Sequence, residues 1–188
     1  ARQVELHPRE VVQLAAIRLQ QDRPKDSLAL AERAVAFLKP NKYRRYELLG
    51  LSVMSRAYEQ LDDLDRARAI STDVVATAEA LGDDVQVGMA LSNLASVAAA
   101  LGQLPQALAY RERAEAIHRR QNDASALPYD LANRADLLIQ LGRRDDASRV
   151  LDELDAGIKG GIDAYVGQAR RAAYVRALAA VTALRAEE

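Results

Sequence analysis

Apolar residues along the chain recur at three- and four-residue steps, the spacing of one face of an α-helix. From about Asp84 to Leu101 the apolar set is Val85, Leu91, Leu94, Ala95, Ala98 and Leu101. Gly102 then stands where a helix has just ended, a place glycine suits. Pro105 follows, at a first helical turn that tolerates it. A second amphipathic stretch carries Ala107, Leu108, Arg111, Ala114 and Ile117 to about Gln121. Asn122-Asp123 closes that stretch and can cap the next helix. The pattern therefore predicts two helices joined by a tight turn. Upstream it predicts the same unit: a helix from about Tyr43 to Leu61, a turn at Asp62-Asp63, a helix from about Asp65 to Leu81, then Gly82.

The unit repeats. Ser27, Ala67, Ala107 and Ala147 follow one another at steps of 40 residues, each just after a polar turn. Val11, Leu51, Leu91 and Leu131 keep the same step, and so do Ala15, Ser55, Ala95 and Ala135. Small residues on facing helices allow close packing of a hairpin, at roughly 8–10 Å between axes. A lone hairpin cannot bury both its faces, so four copies are expected to stack as a solenoid. The copies span about 8–42, 43–82, 83–122 and 123–159. A final helix at about 163–186 is expected to cap the last hairpin, and a linker into a further domain is the alternative. The whole of 1–188 is read as one domain, and the start at Ala1-Arg2 without Met suggests a piece of a longer protein.

Composition adds exclusions. Hydrophobic residues are 49% of the 188, enough for a core, while aromatics are only 4%. There is no Cys, which removes disulfides, thiol nucleophiles and thiolate metal sites. Lys and Arg (26) nearly balance Asp and Glu (27), so no net field favours nucleic acid. No apolar run is long enough to cross a membrane and no secretory signal is present, so a cytoplasmic location is expected.

The repeat resembles the tetratricopeptide repeat (TPR). In the third copy the residues that carry the likeness are Leu91, Leu94, Ala95, Gly102, Leu104, Ala107, Arg111 and Ala114. In the second they are Leu51, Met54, Ser55, Tyr58, Leu64, Ala67, Ser71 and Val74. The likeness covers roughly Pro8 to Leu154. The common form has a period of about 34 residues. The longer step here is similar to kinesin light chains and several bacterial regulators. Asp22 stands where glycine is usual, Arg18 where tyrosine is usual, and Arg134 at a normally apolar site. The resemblance implies an all-α, right-handed α-α superhelix whose concave groove grips peptide segments.

Candidate groove residues follow from the first helix of each copy. The column Gln13, Val53, Asn93, Asn133 lies beside the core-facing column and is rotated toward the groove. An amide has both donor and acceptor, so Asn93 and Asn133 suit an extended peptide backbone. The resembled family has groove asparagines at matching places. Arg56, Ser96 and Asp136 lie three residues on, and Met89 and Tyr129 four residues back. Arg56 suits a ligand carboxylate, and Met89 with Tyr129 suits an apolar wall.

Catalytic chemistry finds little footing. Asp62-Asp63 with Asp65 occupies the repeat's turn and reads as a helix cap, not a metal site. His118 sits late in a helix, where it would meet the C-terminal dipole. His7 reads as part of the terminus. No phosphate-binding glycine loop or nucleophile elbow is present. The sequence therefore predicts a non-enzymatic protein- or peptide-binding module, without metal or cofactor, in a bacterial signalling or regulatory protein. Self-association as a homodimer, or regulation of an attached enzyme, are the alternatives.

Overall fold

The computed structural model describes residues 7–160, and the helix expected at about 163–186 lies outside the described residues. Among the described residues eight helices run in order: α1 (Pro8–Gln20), α2 (Pro24–Leu38), α3 (Arg44–Gln60), α4 (Leu64–Ala80), α5 (Asp84–Ala100), α6 (Leu104–Arg120), α7 (Leu127–Gln140) and α8 (Arg144–Lys159). The described residues contain no strand. The expected helix limits in the second and third copies hold to within one residue at most ends. The chain divides into two compact units, Ala1–Leu101 and Gly102–Glu188, with the division at the turn inside the third copy.

The helix ends explain the regularity. Asp22, Lys42, Asp62, Gly82, Gly102, Asn122 and Gly142 all have positive φ, between 53° and 73°. They are spaced 20 residues apart, so one left-handed residue ends each of the first seven helices. The carbonyls freed there are recaptured. The Arg23 N–H donates to Arg18 O at 3.0 Å and the Asp22 N–H to Leu19 O at 3.1 Å. The same pair of bonds recurs at Asp63 and Asp62, and at Arg143 and Gly142. This is the Schellman pattern. Asp22 thus does the work of a glycine, at a steric cost that Asp and Asn bear better than other side chains. Lys42 has no such excuse. Lys42→Gly is expected to raise stability by about 0.5–1 kcal/mol, as read from urea unfolding.

Helix starts use the expected devices. The Asp63 side chain accepts from the Arg66 N–H, and the Asp83 side chain from the Gln86 N–H. The acidic turn of Asp62, Asp63 and Asp65 is thus a cap, as its place in the repeat implies. His7 caps α1 through a reciprocal pair: its Nδ1 accepts from the Arg9 N–H, and its own N–H donates to Glu10 Oε2.

In the first unit α2 packs between α1 and α3, and α4 packs between α3 and α5. The first helices also touch in turn, α1 with α3 and α3 with α5, so they form one layer. Small residues hold the hairpins close. Ser27 Oγ donates to Ala15 O at 2.8 Å, and Ser55 Oγ to Ala67 O at 2.9 Å. These serines fill the expected small positions and also bond the facing backbone across the hairpin. Gly50 goes further: a Cβ added there would lie 2.7 Å from Val35 Cγ2. In the second unit α7 packs against both α6 and α8, with Ala135 and Ala147 buried.

Candidate functional site

In the first unit the candidate residues sit on the first-helix layer. Met89, Asn93 and Ser96 share one face of α5, at helical spacings of four and seven. Gln13 lies exposed on α1, and Arg56 lies exposed on α3. Met89 is 37% exposed and Val85, one turn before it, 53%. Arg56 makes no ion pair among the described residues. Asn93 is half-buried, and its Nδ2 donates to Ser52 O on α3 at 3.3 Å. That bond uses one amide hydrogen and leaves the carbonyl oxygen available. Ser96 Oγ turns back to Ser92 O in its own helix.

The column shows why groove and packing are entangled. Val53, which the spacing places in the same column, is 6% exposed and joins Val11, Val12 and Ala15 in the core. Leu49 and Ala16 pack against that cluster. Where first helices touch, this column supplies the contact. At α1–α3 the contact is apolar, and at α3–α5 it is the Asn93 bond.

In the second unit Tyr129, Asn133 and Asp136 share one face of α7. Tyr129 is 53% exposed, while Asn133 and Asp136 are half-buried. Just before α7, Asp123 gathers the connecting turn. Its Oδ1 accepts from Ser125 Oγ at 2.6 Å and from the Ser125 and Ala126 N–H groups at 3.0 Å. The Ser125 hydroxyl, with those backbone donors and the His118 charge, outweighs the cost of burial and holds the Asp123 pKa below the usual carboxylate value. Its folded-state pKa lies below the unfolded one. Its stabilisation is therefore complete above the unfolded value and is lost as pH falls through the folded one. Asp123→Asn should flatten the acid side of the stability–pH curve below about pH 4, as followed by helical circular dichroism.

The sequence reading missed a buried ionic cluster. Asp130 on α7 is 2% exposed. Its Oδ1 accepts from Arg111 Nη1 of α6 at 3.0 Å, and its Oδ2 lies 2.5 Å from His118 Nδ1. His118 thus meets a carboxylate as well as a helix end. One turn away, Glu115 is bound by Arg119 at 2.7 Å and by Arg134 at 2.7 Å. Arg119 reaches on to Glu153 of α8 at 2.6 Å. The odd Arg134 of the fourth copy therefore has its countercharge. A signal was present: Arg111 and Glu115 stand in columns that hold Ala31 and Val35, or Ser71 and Val75, in earlier copies.

The open cleft beside this cluster is lined by three cations, Arg134, Arg143 and Arg149, and three anions, Glu112, Asp146 and Glu153. Their charges cancel, so the cleft offers no field for a polyanion. Arg143 bonds Asp146 and, with Arg149 close by, keeps that carboxyl ionised to lower pH than usual against the small cost of burial. No group of three or more His, Asp or Glu among the described residues is placed to hold a metal ion. No helix among them is long and apolar enough to cross a membrane.

Solved structures match this arrangement of helices. Aspartyl phosphate phosphatase F from Bacillus subtilis superposes with a TM-score of 0.79 over 92% of this chain at 18% identity. The fold is TPR-like. A Rap protein complexed with Competence and Sporulation Factor matches this TPR-like chain with a TM-score of 0.77 over 96% of it, at 15% identity. A Podosopora anserina putative kinesin light chain with nearly identical TPR-like repeats matches with a TM-score of 0.68 over 97%, at 16% identity. The chain spans 45% of the phosphatase structure and 54% of the Rap structure, about half of each, and 99% of the kinesin light chain one. No family model matches the sequence, and no curated protein matches it. The TPR-like architecture agrees with the resemblance carried by the repeated residues of the second and third copies.

Proposed function

We propose that this chain is a non-catalytic module that binds a peptide or an extended protein segment on its first-helix layer, within a bacterial signalling or regulatory protein. One observation carries the reading. Arg56 is exposed and makes no ion pair among the described residues, one turn along α3 from the Ser52 carbonyl that takes Asn93. Met89 lies uncovered one turn before Asn93 on α5. A guanidinium, an amide with a spare acceptor and a thioether offer charge, backbone-pairing and apolar contacts to one extended ligand. Gln13 on α1 extends that set in the first unit, and Tyr129, Asn133 and Asp136 offer a similar set on α7 in the second. The Rap structure, solved with Competence and Sporulation Factor, supports ligand binding on this fold.

The test begins with a displayed pool of random peptides selected on the protein. Selected peptides are expected to bind several-fold more weakly to the Asn93→Ala, Asn133→Ala variant, as read by fluorescence anisotropy. The Asn93 bond to Ser52 contributes about 0.5–1.5 kcal/mol, so the variant should stay folded. Unchanged affinity in this variant and in Arg56→Ala would reject the assignment.

A further inference from the structure

Copies built on one 40-residue plan create an ambiguity. α3, α5 and α7 are each shaped to sit against a second helix that precedes them, and helices of similar shape compete for such seats. The seats differ in chemistry. At the first, Ala31 and Val35 on α2 are matched by Gly50 and Met54 on α3. At the second, Ser71 and Val75 on α4 are matched by Ala90 and Leu94 on α5. At the third, the same columns hold Arg111 and Glu115 on α6, and Asp130 and Arg134 on α7. His118 completes it, in the column of Leu38 and Ala78.

Both column pairs changed from apolar or small to charged, and both changed into opposite charges. Each pair is in contact: Arg111 with Asp130 at 3.0 Å and Glu115 with Arg134 at 2.7 Å. Arg111, Glu115, His118 and Asp130 are each at most 5% exposed. Buried ion pairs add little stability over well-packed apolar residues, because desolvation offsets the attraction. Their distinctive effect is on mispairing. Asp130 and Arg134 brought against Ser71 and Val75, or against Ala31 and Val35, would lie buried without a countercharge. The first seat also excludes Asp130 by shape, since even a Cβ in the column of Gly50 meets Val35 Cγ2 at 2.7 Å.

We propose that the charges between α6 and α7 are a pairing key. They admit α7 to α6 and exclude it from the seats of α2 and α4, in this chain or in another copy of it. They likewise disfavour α3 and α5 of any copy at the seat on α6, where neither Gly50 and Met54 nor Ala90 and Leu94 would supply the carboxylate that Asp130 gives to Arg111 and His118. The key fixes the place of α7 in an Ala-rich array of similar helices.

The test replaces the key with the second copy's own residues. The variant Arg111→Ser, Glu115→Val, His118→Ala, Asp130→Ala, Arg134→Leu carries the side chains of Ser71, Val75, Ala78, Ala90 and Leu94. Full-length wild type and variant are unfolded in urea, diluted to refold, and compared by light scattering and by hydrogen exchange over α6 and α7. The variant is expected to keep its helix content. A several-fold larger share of its chains should refold into species of other mass, or with altered protection of α7. A variant that returns to the wild-type mass distribution and protection pattern overturns the key. Should that variant not fold, Glu115→Val with Arg134→Leu takes its place. It keeps the Arg111, Asp130 and His118 contacts and is expected to show the same heterogeneity in smaller share. Wild-type refolding by this second variant would then overturn the proposal.

Discussion

Asp130→Ala is expected to cost about 3–5 kcal/mol of folding stability, the range found when one partner of a buried ion pair is removed. The loss is not one of volume. The same column holds Ala90 in the preceding copy, so the backbone at this place accepts an alanine. What fails is compensation, because Arg111 and His118 would remain buried at 5% exposure with their shared carboxylate gone. Urea unfolding measures the loss directly. Adding Arg111→Ser, which copies Ser71, should return part of it by removing a buried cation that has lost the Asp130 carboxylate. A single-variant cost below about 1 kcal/mol would mean that the cluster is hydrated and behaves as a surface pair.

The second large effect concerns packing. Gly50→Leu is expected to destabilise the first unit by about 3 kcal/mol, at the upper end of the usual overpacking cost. Val35 Cγ2 would lie 2.7 Å from the first atom of any side chain placed there, and Val12 Cγ2 at 3.6 Å. α2 and α3 would have to separate, opening the cluster around Ala31, Ala34 and Val53. Val35→Ala in the same chain should recover part of the loss, since it vacates the space that the new side chain needs. Thermal unfolding of the single and double variants measures both terms. A Gly50→Leu protein as stable as wild type would show that the α2–α3 approach is looser than its geometry.

The helical hairpins were legible because their determinants are local. Apolar spacing gave the helices, and the glycines and aspartates of the turns gave their ends. The step of 40 residues gave the stacking. Gln13, Arg56 and Met89 are exposed, as expected of residues beside a core-facing column. Two things were less legible. Val53 occupies the groove column yet is buried, because contact between successive first helices depends on crossing geometry and not on helix period. Asn93, whose column points to a ligand, also bonds Ser52 O within that same contact. The ionic cluster was the larger omission. Arg111, His118 and Asp130 are spread over two helices, and each alone reads as an ordinary charge or a helix-end residue. Only a comparison down the columns, copy against copy, shows charge replacing small and apolar residues on both sides of one interface.

The claim that most depends on all of this is that the first-helix layer is the working surface. Amide chemical shifts of isotope-labelled protein, titrated with a selected peptide, test it most directly. The account predicts the largest shifts at Gln13, Arg56, Met89 and Asn93 in the first unit, and at Tyr129, Asn133 and Asp136 in the second. Shifts confined to the second helices, α2, α4, α6 and α8, with those residues unmoved, would contradict it.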